Sequence, residues 1–171
     1  MRPLHFFLAW LAAVLLHLTT ARLLPVVPRA LDVFLVVTVI NALSGRSLPG
    51  LLGGLFCGLS LDTFSGGVYG LYGFADTLVG YATARVAQRL VTRGIGGLSV
   101  VLLSAAVLQQ ATLILLAIFV VGEANLPDLL WVGLRVVTSA AVGLALYKLS
   151  LRSRVRLEES RRNRRARLRL D

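Results

Sequence analysis

Long apolar stretches recur along the chain, separated by short clusters of glycine, proline, serine and arginine, and they do not alternate with period two. A membrane-crossing helix needs about 20 apolar residues, within a range of roughly 17–25. Six stretches approach or meet that length: Leu4–Leu24, Pro28–Leu43, Leu48–Phe64, Val68–Val86, Gly97–Val121 and Leu126–Leu149. The punctuation between them is Pro25 and Pro28, Ser44-Gly45-Arg46, Ser65-Gly66-Gly67, Arg93-Gly94, and Asn125 with Pro127. Such residues break helices or supply turns. The second and third stretches are short enough to form a hairpin that does not fully cross. Full crossing is the better reading, because Arg46 at their turn would otherwise lie in hydrocarbon, at about 2.5–3.5 kcal/mol on insertion scales. Without period-two alternation a β-barrel is disfavoured. The expectation is an all-α integral membrane protein, a six-helix transmembrane bundle spanning 1–151 with a basic cytoplasmic tail at 152–171.

Composition agrees with this. The chain is 57% hydrophobic and 15% charged, whereas a soluble domain has about 45–50% apolar and about 25% charged residues. A 171-residue globule could not hide that excess from water. The start of the chain, Arg2 and then Phe6–Leu16 with Thr19-Thr20-Ala21 beyond, also fits a cleavable signal peptide. With several further spans following, an uncleaved first helix is the simpler account.

The net charge of +10 invites a nucleic-acid reading, but ten of the eighteen Lys and Arg residues lie from Lys148 onward. Six spans with a cytoplasmic N-terminus put fifteen basic residues inside and only Arg22 and Arg29 outside, with Arg135 within the last span. That asymmetry satisfies the positive-inside rule and places both termini in the cytoplasm. The tail residues Arg152, Arg154, Arg156, Arg161, Arg162, Arg164 and Arg165 then hold the C-terminus inside and face anionic lipid, at about 1 kcal/mol per basic residue near the surface. Interleaved leucines extend the sixth helix as an amphipathic continuation. No nucleic-acid partner is expected.

No catalytic or cofactor constellation is visible. Nucleophilic catalysis needs a nucleophile, a base and an orienting group within reach of each other. The two histidines, His5 and His17, are twelve apart on one helix and face directions about 120° apart. Cys57 is the single cysteine, which leaves no disulfide framework or multi-cysteine zinc site, and it reads as a packed thiol. The expectation is a non-enzymatic protein without catalytic residues, cofactor or metal.

Glycine and the buried charges carry more. Gly50, Gly54 and Gly58 fall four apart on one helix face, a spacing that lets helix backbones approach closely. The series runs on through Asp62, the turn Gly66-Gly67 and Gly70, and then Gly73 and Gly80. A packing seam between the third and fourth spans is the first reading and a subunit interface the second. Asp32, Asp62, Asp76 and Arg135 are intramembrane or interfacial charges, and such charges are functional candidates. Counting along their helices puts Asp76 and Arg135 at similar depth, about 12–14 Å, so they are the expected ion pair. Gln109 and Gln110 lie mid-helix and are expected to bond across helices.

The stretch from Gly50 through Gly54, Gly58, Asp62, Gly66, Gly67 and Gly70 to Gly80-Tyr81 resembles the core of the rod shape-determining protein MreD family. Asp32 and the apolar strip after it resemble that family's second-helix Pro-Asp element, with Leu31 where the proline stands. The resemblance covers roughly Asp32–Arg85. It implies a fold similar to the S components of energy-coupling-factor transporters. The implied role is a non-enzymatic component of the elongation machinery in the bacterial inner membrane. Its partners would be an MreC-like protein and, through it, MreB, RodA and a penicillin-binding transpeptidase. A rival reading is a vitamin-binding subunit of an energy-coupling-factor transporter, for which Ala9 and Ala13 would form the small-residue contact to a coupling partner.

Overall fold

The computed structural model describes residues 3–24, 26–89, 95–121 and 128–167, with backbone only at 3, 95, 121 and 150–167. The described residues are mostly helical and contain no strand. The helices are α1 (Pro3–Leu23), α2 (Val27–Ala30), α3 (Val33–Ala42), α4 (Ser47–Ser65), α5 (Leu71–Arg89), α6 (Ile95–Leu116) and α7 (Leu129–Arg167), with a π-helical turn at Ala117–Val121 extending α6. Four are long and apolar enough to cross a bilayer: Leu4–Leu23, Ser47–Ser65, Gly96–Val120 (α6 with its π turn) and Leu129–Leu149. Much of the surface is apolar, including Leu4, Phe7, Leu8, Leu15, Phe56, Phe74, Val100, Leu115 and Phe119. Such a surface is stable facing lipid. The chain is a membrane-embedded helical protein.

Helix α3 lies at the centre. Nine of its ten residues are buried, as expected for a helix apolar on every side. At 1.5 Å per residue it spans only about 15 Å, half the hydrocarbon thickness. The apolar stretch 28–43, expected as one span, is instead divided at Leu31–Asp32, where the backbone is extended on both residues. Packed on α3 is one apolar cluster of Ala13, Val33, Phe34, Val37, Cys57 and Leu61. A second joins Leu35, Val39 and Val79 to Leu98, Val101, Leu102, Ala105, Ala106 and Ala140. Cys57 is buried, in keeping with a packed thiol.

The most extensive helix–helix contact is between α4 and α5, and glycine explains it. A β-carbon at Gly50 would lie 2.7 Å from the carbonyl oxygen of Gly80. One at Gly54 would strike the Asp76 carbonyl, and one at Gly58 the Tyr72 carbonyl. From the other side, a β-carbon at Gly80 would strike the Gly50 carbonyl. Backbone packs on backbone along the whole seam, so the expected seam between these two helices is present.

Its membership needs correcting at one end. Gly66, Gly67 and Gly70 meet no neighbour that a methyl group would crowd. Gly66 (φ 66°) ends α4 in the left-handed region and Gly70 (φ 102°) precedes α5, conformations that cost other residues about 1–2 kcal/mol. These glycines turn the chain, and the seam continues at Gly73 and Gly80 instead. At the opposite end of the pair, Gln88 Nε2 donates to the Gly45 carbonyl at 2.7 Å and to Ser47 Oγ at 3.0 Å, tying the end of α5 to the α3–α4 turn.

Helix α1 packs mainly on α3, with Phe6, Ala9, Trp10, Ala13 and Val14 turned inward. Trp10 Nε1 donates to Ser60 Oγ at 2.9 Å. His17 lies against Phe34 and Phe64, ring centroids 5.6 and 5.2 Å away, while His5 is exposed. Helix α7 runs unbroken to Arg167, so the expected helical continuation into the tail is seen, and it crosses the 151/152 boundary without interruption. The tail arginine side chains, Arg2, Arg93, Glu123 and the loop residues Pro25, Gly94, Asn125 and Pro127 lie outside the described residues.

Candidate functional site: a buried polar network beside a basic cavity

The site begins with the interruption between α2 and α3. A break in a helix frees backbone groups, and where these are buried protein must supply their partners. Four contacts do this. The Leu31 N–H donates to the Val27 carbonyl at 2.8 Å, closing α2. Thr138 Oγ1 donates to the Ala30 carbonyl. The Asp32 N–H donates to Ser139 Oγ at 2.9 Å. Asp32 Oδ1 accepts the Leu35 N–H at 2.9 Å and so caps α3. Two of the four come from adjacent residues of α7, one turn beyond Arg135, and residues so spaced share a helix face.

Arg135 uses that face as well. Its Nη2 lies 2.7 Å from Asp32 Oδ2, and Nη1 donates to Tyr72 Oη at 3.0 Å. Its guanidinium carbon stands 5.3 Å from the centre of the Tyr72 ring, within the range of a cation–π contact. Gln109 completes the network from α6. Its Nε2 donates both to Asp32 Oδ2 at 2.9 Å and to Asp76 Oδ1 at 2.7 Å. Asp32, Asp76 and Gln109 are almost entirely buried.

The expected Asp76–Arg135 pair is therefore not formed. Arg135 pairs with Asp32, and Asp76 is linked to Asp32 only through the Gln109 amide. Comparing Cα depths misjudges a residue as long as arginine. Side chains on a helix lean toward its N-terminus, which carries this guanidinium up α7 toward Tyr72 and Asp32. Asp62, the remaining expected charge, belongs to a different device. Its two carboxylate oxygens accept the Tyr72 and Gly73 N–H groups, both at 2.9 Å. It thereby caps the first turn of α5 from across the Gly66–Gly70 turn, where a negative charge also opposes the positive helix end.

Four buried polar atoms have no hydrogen-bond partner among the described residues: Thr38 Oγ1, Asp76 Oδ2, Gln109 Oε1 and Arg135 Nε. All belong to this region or to the helices enclosing it. Next to the network is a cavity of about 260 Å³ lined by Arg29, Tyr72, Gln110, Trp131 and Arg135 among apolar residues including Leu113 and Ile114. Gln110 does not bond across helices as expected; it faces this cavity. Among the described residues no group of three or more His, Cys, Asp or Glu is arranged to hold a metal ion.

Tyr72, Thr138 and Ser139 were not apparent from sequence as members of the site. For the last two a signal existed in their i+3 and i+4 spacing from Arg135. For Tyr72 the only hint is its place ten residues after Asp62, at the start of the next helix. No protein-family model matches the chain, and no curated protein or solved structure matches it.

Proposed function

We propose that the chain is a non-enzymatic inner-membrane component of the bacterial cell-elongation machinery. In this reading it is a six-span bundle with both termini in the cytoplasm, helping to maintain rod shape through contacts with an MreC-like protein. The proposal starts from the resemblance over Asp32–Arg85. The observation that most supports it is that this same stretch contains the most extensive helix–helix packing among the described residues, the α4–α5 seam with Asp62 capping α5. Gly50, Gly54, Gly58, Asp62, Gly73 and Gly80 thus have a common physical purpose, a rigid helical pair. The buried polar network fixes α3, α5, α6 and α7 against one another, as a scaffold requires. In the six-span reading α5 crosses despite its polar residues because Asp76 and Thr83 are buried, and α2 with α3 forms one interrupted crossing.

The cavity favours the rival vitamin-binding reading, but two features weigh against it. At about 260 Å³ it lies below the roughly 300–1,000 Å³ usual for drug-sized ligands. Ala9 and Ala13 pack into the chain's own core, so they are not free to contact a coupling subunit. The test is depletion in the native host with co-purification of the tagged protein from membranes. Rounded cells, normal vitamin uptake and recovery of a single-span MreC-like partner are expected. Normal shape with a new vitamin requirement would overturn the proposal.

A further inference from the structure

The geometry points to the cavity between α2, α5, α6 and α7 as a binding site for a phosphodiester oxyanion carried on an amphiphile, the headgroup of an anionic phospholipid. Charge gives the first reason. Arg29 and Arg135 both line the cavity, and among the described residues the one carboxylate bonded to either is Asp32, on Arg135. Arg29 forms no ion pair with any described residue. Asp128, at the start of α7, accepts its own helix's Leu130 N–H. Among the described residues the lining therefore carries an excess positive charge on two guanidinium groups, the side chain best suited to phosphate oxygens.

Unused donors give the second. Gln110 is 8% exposed, lines the cavity, and its amide bonds to no described residue. Tyr72 Oη accepts from Arg135 Nη1, which leaves its own hydrogen to donate. Gln110 and Tyr72 thus bring two unused donors to the cavity lining, and a donor left unmet away from water is costly. What they lack is acceptor oxygen, which a phosphodiester supplies in two directions.

The remaining surface favours a lipid over a soluble anion. Leu71, Leu113, Ile114, Ala117 and Val132 complete the lining. Next to them in sequence, Ile118, Phe119, Val120, Leu129 and Leu130 are exposed apolar residues, a surface for acyl chains. The site would hold the headgroup with its tails alongside α6 and α7. Such binding goes beyond the scaffold role and does not depend on it.

The test is native mass spectrometry of the full chain released from detergent, titrated with phosphatidylglycerol or with phosphatidylcholine of the same acyl chains, and separately with inorganic phosphate. Phosphatidylglycerol is expected to bind about tenfold more tightly than phosphatidylcholine, because the choline cation beside the same phosphodiester cancels its charge and is repelled by the two guanidinium groups. Arg29→Gln and Gln110→Leu should each remove most of that preference, while Arg22→Gln should leave it intact. Unchanged thermal unfolding would show that these variants remain folded, and the basic tail is common to all. Equal binding of the two lipids, or an unaltered preference in both cavity variants, would overturn the site. Inorganic phosphate binding lost in Arg29→Gln without a lipid preference would assign the cavity to a soluble oxyanion and overturn its lipid form.

Discussion

Replacing Gly54 by alanine adds a single methyl group at the centre of the α4–α5 seam, and its consequences can be worked from the geometry. The new carbon would overlap the carbonyl oxygen of Asp76 and lie 2.7 Å from the carbonyl carbon of Asp76 and 3.0 Å from the Thr77 nitrogen. Ordinary contact begins at 3.4 Å, so the nearest carbon alone demands a shift of about 0.7 Å. These are backbone atoms in the middle of a helix, so no side-chain rotation relieves the overlap; the two helices must separate. A gap of 0.5–1 Å forfeits a quarter to a half of each dispersion contact across it. Overpacking typically costs 1–3 kcal/mol, and this site belongs at the upper end, about 2–3 kcal/mol. Asp76 would move as well, loosening its bond to Gln109. The assay is equilibrium unfolding in mixed micelles by titration with a denaturing detergent, with Gly67→Ala as the partner variant. A β-carbon at Gly67 meets only Ser65 Oγ at 4.0 Å, so its stability should stay within about 0.5 kcal/mol of the native chain. If Gly54→Ala unfolds with the native midpoint, or if Gly67→Ala is equally damaging, backbone-on-backbone packing is not what holds this seam.

Three further variants probe the polar network and the caps. Asp32→Asn leaves Arg135 without its anion and should cost about 3–5 kcal/mol, whereas Asp32→Leu with Arg135→Met should be less damaging than either single change; a double variant worse than the sum would exclude the pair as the source. Asp76→Asn keeps an acceptor for Gln109 and removes no cation's partner, so in the same unfolding titration it should lie within about 1 kcal/mol of the native protein. Asp62→Ala strips the Tyr72 and Gly73 N–H groups of their acceptor and should cost about 1–2 kcal/mol, with amide exchange accelerated at the start of α5; unchanged exchange there would rule out the cap.

The helices and the seam could be read from sequence because each depends on a pattern within one segment. Gly50, Gly54 and Gly58 mark a face by spacing alone, and apolar length marks a span. What could not be read depends on partners distant in the chain. The stretch 28–43 is apolar almost throughout, and the interruption at Leu31–Asp32 exists because Thr138 and Ser139, over one hundred residues away, bond the freed backbone. Gly66, Gly67 and Gly70 extend the glycine series by composition, but the chain turns there, and a series carried through a turn no longer marks one face. Helix position gives the depth of the Arg135 Cα, whereas its guanidinium, several ångströms away, sets its partner.

The interruption between α2 and α3 shows what the network is for. Once α2–α3 is broken, Asp32 has three demands on its side chain: the cap on α3, the guanidinium of α7 and the amide of α6. No other residue among those described joins three helices through one carboxylate. Ordinary lipid-facing packing would hold α6 and α7 against α3 in several rotations of similar energy, because apolar contact has little directional preference. Directed bonds to this one residue remove that freedom: Arg135 on its carboxylate and Ser139 on its N–H fix the face of α7, and Gln109 on its carboxylate fixes that of α6. The same fixed faces turn Gln110 and Arg135 toward the cavity, so the residue that orders the bundle also shapes its basic pocket. If so, Asp32→Asn should loosen α6 and α7 together, seen as simultaneous gains in amide exchange around Gln109 and Arg135. A gain confined to one helix would mean that the three are fixed independently of this carboxylate.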